Sequence, residues 1–194
     1  MLTANEKKVI KYLLVNFNRD KSINEVAKDC HLSPNGALKI LRKLEKESIL
    51  HQKNIANIKA YKISCSSSKA RHTLELAFMD NIEGRLEHRY KDLLPLQQVV
   101  KICIAFGSYI TGKEKPDDLD LIIVINKEEF NDYKKKLAEI RELIPVKIHD
   151  ILQTKTDFIN NMHQDNKVIK KALQEGIVLW GYEPLIEVLF NACR

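Results

Sequence analysis

Two apolar runs and what interrupts them constrain this chain most. Val99 to Phe106, VVKICIAF, is rich in β-branched and apolar residues and reads as a buried strand, which Gly107 and Ser108 cut short. After a polar loop with Gly112, Lys113, Lys115 and Pro116, the run DLDLIIVI begins at Asp118. Its unbroken Leu-Ile-Ile-Val-Ile stretch predicts a central strand covered on both faces. Successive strand side chains alternate, so Asp118 and Asp120 point the same way, about 6–7 Å apart along the strand. Like charges at that spacing repel, and divalent cations between them would relieve the repulsion. Mg²⁺, which prefers carboxylates together with phosphate oxygens, suits such a pair. A glycine lets backbone approach a ligand closely, and a short helix after it would offer N–H groups to phosphate, with the Ser108 hydroxyl as a further donor. Each piece also has a plainer reading, in which KPDDLD is a Pro-Asp turn whose acids solvate a strand edge.

The formal net charge of +6 over 194 residues is unevenly placed. Residues 1–64 hold 13 Lys and Arg against 6 Asp and Glu, a net of +7, while the remainder is at −1. That segregation predicts a polyanionic partner for the first third and another role for the rest. The four cysteines, at 30, 65, 103 and 193, follow neither a CxxC nor a zinc-finger spacing, so a disulfide framework and a zinc site are not indicated. The opening MLTANEKKVI lacks the pattern of a signal peptide, and no apolar run reaches the roughly 18 residues of a membrane span. A cytoplasmic protein with no membrane partner is expected.

Thr3 and Glu6 have the spacing of a capping box, and Ile10, Leu13, Leu14 and Phe17 then recur on one helical face. A second helix is predicted from about Asn24 through Cys30. A third begins with Ser33 as N-cap and Pro34 at its first position. Leu38, Leu41 and Leu44 mark its buried side, and Lys39, Arg42, Lys43 and Lys46 its opposite side. ILHQKN and IKAYKIS then read as two short strands joined by a turn. Three helices and a hairpin in this order resemble a winged helix-turn-helix domain, spanning about residues 2–64. The resemblance implies duplex DNA binding, with Asn35, Lys39, Arg42, Lys43 and Lys46 of the third helix and Lys53 and Lys59 of the hairpin as contacts. The competing reading is a solvated charged face, or a module that docks protein.

SCSSSKA, residues 64–70, breaks the periodicity and marks a domain boundary. From Arg71 to about Leu94 a single long helix is predicted, weakened at Gly84 and ended by Pro95, and a role in homodimerisation is open. Strand, Gly-Ser, spacer, Asp-x-Asp, apolar strand, and the closing helix and strand of KVIKKALQEGIVLWG resemble the minimal nucleotidyltransferases of the DNA polymerase beta superfamily, over about residues 96–182. The resemblance implies that Gly107, Ser108 and Lys113 hold a triphosphate, and that Asp118 and Asp120 bind Mg²⁺.

Members of that family commonly carry Arg three residues after the Ser, where this chain has Thr111. Active members also carry a third carboxylate on the following strand, where this chain has Lys147. His149 shares the face of Lys147. Asp150, the nearest acid, is assigned provisionally as the base, although regular alternation would turn it to the other layer.

The expected fold class is α+β. It comprises a winged helix-turn-helix domain at 1–64, a linker and connecting helix at 65–95, and an α/β nucleotidyltransferase domain with a mixed sheet at 96–194. The expected activity is Mg²⁺-dependent transfer of a nucleoside monophosphate from ATP or another NTP to a hydroxyl. The alternative is a DNA-binding transcriptional regulator whose second domain is catalytically impaired and senses nucleotide or dimerises. In EPLIEVLFNAC, Leu185, Val188 and Leu189 form an apolar face suited either to assembly or to the internal core.

Overall fold

The structure, a computed structural model, describes residues 2–112, 116 and 118–193, which divide into two compact units. The first takes in residues 1–78 and 189–194, and the second residues 79–188.

In the first unit α1 (Ala4–Val15) starts at a capping box, with the Thr3 hydroxyl accepting from the Glu6 N–H and the Glu6 carboxylate accepting from the Thr3 N–H. A short strand β1 (Lys21–Ser22) leads into α2 (Ile23–Asp29), which Ser22 and Glu25 cap in the same way. Helix α3 (Pro34–Lys46) follows, with the Ser33 hydroxyl accepting from Gly36 N–H. Strands β2 (Leu50–Ile55) and β3 (Ile58–Ile63) form a hairpin that β1 extends to a three-stranded antiparallel sheet in the order β1-β3-β2. Val9, Ile10, Leu13, Leu14, Ala37, Leu41 and Leu44 are buried, as the helical periodicity requires. Helix α4 (Ser68–Phe78) contacts α1 within this unit and buries Leu74 and Phe78.

The single connecting helix is not formed. Asp80 and Asn81, whose side chains compete for backbone hydrogen bonds, lie in an irregular stretch, and Gly84 has φ +62°. Helix α4 therefore ends at Phe78 and belongs to the first unit, while α5 (Arg85–Leu93) starts after Gly84 and belongs to the second.

The second unit is built on β4 (Ile102–Phe106), β5 (Asp118–Val124), β6 (Lys147–Gln153) and β7 (Ile177–Trp180), in the order β6-β5-β4-β7. The sheet is mixed, with β5 and β6 parallel and both other pairings antiparallel. Helix α6 (Phe130–Leu143) joins β5 to β6, and α7 (Lys155–His163) and α8 (Lys167–Glu175) lead to β7. One face of β5 buries Leu119, Leu121 and Ile123 in a cluster with Leu86 and Leu93 of α5 and Tyr133, Leu137 and Ile140 of α6. Helices α7 and α8 contact β6 and β4. The expected centrality of the DLDLIIVI strand is thus realised.

Helix α9 (Tyr182–Ala192) buries Leu185, Val188 and Leu189, so the apolar face at the C-terminus is internal core. No helix among the described residues is long and apolar enough to cross a membrane.

Candidate functional site

Strand β4 delivers the chain to Gly107, and its last residue, Phe106, pairs with Asp120. At Gly107 the backbone turns with φ +77°, and a Cβ built there would lie 2.1 Å from Asp120 Oδ2. Only glycine leaves room for the carboxylate at this point, so the Gly-Ser turn and the acidic pair are one feature. Gly107–Tyr109 form one turn of 3₁₀ helix, and the Gly107 carbonyl accepts from the N–H groups of Ile110 and Thr111 and from the Thr111 hydroxyl. Thr111 thus closes the turn from the position where the resemblance anticipates arginine. Ser108 lies partly exposed in the same turn.

A cation holds the turn from outside. Arg85 Nε donates to the Tyr109 carbonyl at 3.2 Å, and its guanidinium sits 5.1 Å from the Tyr109 ring centre. No motif signals this contact, because Arg85 lies 24 residues upstream on a different element.

Asp118 and Asp120 occupy one face of β5, their side chains 38% and 28% exposed. The parallel register sets Lys147 beside Asp118 and His149 beside Asp120. His149 Nδ1 lies 3.8 Å from Asp118 Oδ2 and 3.7 Å from Asp120 Oδ1, within ion-pairing range of both. The face expected for a third carboxylate therefore presents a lysine and a histidine.

Asp150 is corrected by the same register. It pairs with Leu121 and so faces the α6 layer. There Oδ2 accepts from the Tyr133 hydroxyl at 2.7 Å and Oδ1 from Arg141 Nη2 at 2.7 Å. Burial, reinforced by Asp150, pushes the Tyr133 phenol well above its ordinary range. Asp150 is a structural acid that ties β6 to α6, not a base beside Asp118 and Asp120. Lys113 lies outside the described residues.

A hard divalent ion wants oxygen ligands, and two neighbouring carboxylates plus phosphate oxygens can supply them. The residues present fit one Mg²⁺ shared with a nucleotide. They do not assemble the three-acid set needed for an ion pair, and no group of three or more His, Cys, Asp or Glu among the described residues is arranged to hold a metal.

In the first unit, α3 exposes Asn35, Lys39, Arg42, Lys43 and Lys46. Lys43 differs from the other four because its Nζ is bound to Glu6 Oε1 at 2.7 Å, tying α3 to α1. Lys53 and Lys59 are both exposed on the hairpin, but Lys53 shares a face with its partner Ala60 and Lys59 with Asn54. The two lysines point to opposite faces and do not form a single strip.

Residues 89–184 match the family model described as polymerase beta, nucleotidyltransferase, just under half of the chain. That span contains the whole β4–β7 sheet with the Gly107 turn and the acidic pair, so the C-terminal part is nucleotidyltransferase-like. Neither the comparison with curated proteins nor that with solved structures gave a match.

Proposed function

We propose that this protein binds a nucleoside triphosphate with Mg²⁺ at the mouth of β4 and β5 and transfers the nucleoside monophosphate to a hydroxyl acceptor. The observation that supports the reading is the fit of the Asp120 carboxylate against Gly107, which sets the acidic pair beside the Gly-Ser turn. Asp118 and Asp120 would hold the ion, and the Gly107–Ser108 backbone and the Ser108 hydroxyl would take phosphate oxygens. Bound there, Mg²⁺ would neutralise the phosphates and polarise the one under attack. Lys147 stands on the same face to offset charge on the leaving pyrophosphate. With Asp150 turned away, His149 is the group on that face able to accept the proton of an attacking hydroxyl.

The first unit, in this proposal, is a winged helix that docks duplex DNA through Asn35, Lys39, Arg42 and Lys46 of α3, with Lys53 or Lys59 on flanking phosphate. Its net positive charge and the order of its elements support this. The position of Asp150 favours one second reading, a DNA-binding regulator that senses nucleotide without turning it over.

Calorimetry with each NTP, with Mg²⁺ and with EDTA, tests the site on the full chain beside a D118N/D120N variant. Mg²⁺-dependent binding lost in the variant is expected, and binding to none of the NTPs would refute the proposal. Release of pyrophosphate, followed with candidate acceptors, then separates transfer from sensing.

A further inference from the structure

The first unit holds two thiols far apart in sequence and together in space. Cys65 lies in the turn after β3, and Cys193 follows α9. Both line one cavity of about 280 Å³ with His51, Lys62, Ile63 and Ser66. The Cys193 thiol hydrogen-bonds to Cys65, whose own Sγ donates to the Ile63 carbonyl at 3.7 Å. Neither residue is in a disulfide and both are partly exposed, whereas Cys30 and Cys103 are buried.

We propose that Cys65 and Cys193 are a modification site, joined into a reversible intramolecular disulfide when the protein meets hydrogen peroxide. Lys62 lines the same cavity, and its charge opposes the rise of the Cys193 thiol. The bond to Cys65 first, and burial second, push the Cys193 thiol well above its ordinary range, so Cys65 is the first nucleophile. Its thiolate attacks one peroxide oxygen, the O–O bond breaks, and the departing hydroxide takes up the proton that Cys65 gave to solvent. The product is the Cys65 sulfenic acid. The Cys193 sulfur then attacks the Cys65 sulfur, the S–O bond breaks, and the departing hydroxide leaves as water with the Cys193 proton. Two thiols and one peroxide give one disulfide and two waters. The bond would close a covalent ring containing the whole family-matched span 89–184.

The test uses the reduced full chain, treated with a small excess of hydrogen peroxide, capped with iodoacetamide after denaturation and weighed intact. The expected result is two capped cysteines instead of four and a disulfide worth about 2 Da in lost hydrogen, both reversed by dithiothreitol. Peptide mapping should join the segments holding residues 65 and 193. C65S and C193S, with C65A and C193A checked by circular dichroism for folding, should each lose the product, and C30S should retain it. Oxygen added in steps of about 16 Da without cross-linking, a bond between two molecules, or the same product in C193S would overturn the proposal.

Discussion

At Gly107 an added methyl would collide with the Asp120 carboxylate at a backbone φ of +77°, so the substitution tests site and fold together. Gly107→Ala should lower stability by about 1–3 kcal/mol in denaturant titrations. It should also weaken Mg²⁺–NTP binding by about tenfold or more in calorimetry, because Asp120 must move. Asp150→Asn should separate the two effects. Nucleotide binding stays, and stability falls by about 1 kcal/mol as the ion pair with the half-exposed Arg141 is lost.

Glu6 makes a pH prediction. Burial opposes its ionisation, but the bonds from Lys43 and Thr3 outweigh it and hold the carboxyl below its ordinary 4.5. Since the folded-state value is the lower one, the stabilisation is complete above the unfolded range and vanishes as pH falls through the folded value. Glu6→Gln should therefore cost about 1 kcal/mol at neutral pH in denaturant titrations, with the gap to the parent closing in strong acid.

Whether a residue's role was legible depended on how far away its partner sits in sequence. The acidic pair, its shared face and the helix cap at Thr3 follow from local spacing. The contacts of Arg85 with Tyr109, Lys43 with Glu6 and Cys65 with Cys193 join distant segments, and no periodicity encodes them.

Among the elements, α3 illustrates what local chemistry settles. Ser33 and Pro34 define its start, and replacing the cap by Ser33→Ala should cost about 1 kcal/mol in thermal or chemical unfolding. The helix expected between residues 71 and 94 shows the opposite case. Its apolar spacing is helical through Phe78 and again from Leu86, yet the Asp80, Asn81 and Gly84 stretch splits it and assigns the halves to different cores. Periodicity reports which residues are buried but not against what. The seven strand pairs between β5 and β6 run without a bulge, so the alternation that argued against Asp150 from sequence is upheld.

On the scale of the whole molecule, charge and core are partitioned differently from the chain order. The charge boundary at residue 64 was readable, whereas the core boundary was not, since α4 and residues 189–194 both belong with the N-terminal unit. Leu189, Phe190 and Ala192 are buried. Deleting 189–194 should therefore accelerate amide exchange across α1 and α4 while β5 stays protected, and uniform acceleration would contradict the division.

The same division orders events during synthesis. The unit translated first cannot complete its core until the segment after Val188 has emerged, about 110 residues later, or roughly 5–20 s at ordinary elongation rates. Through that interval the helices that begin the chain wait unsealed while the sheet domain forms, which makes the nascent N-terminal half a natural client for a chaperone at the ribosome.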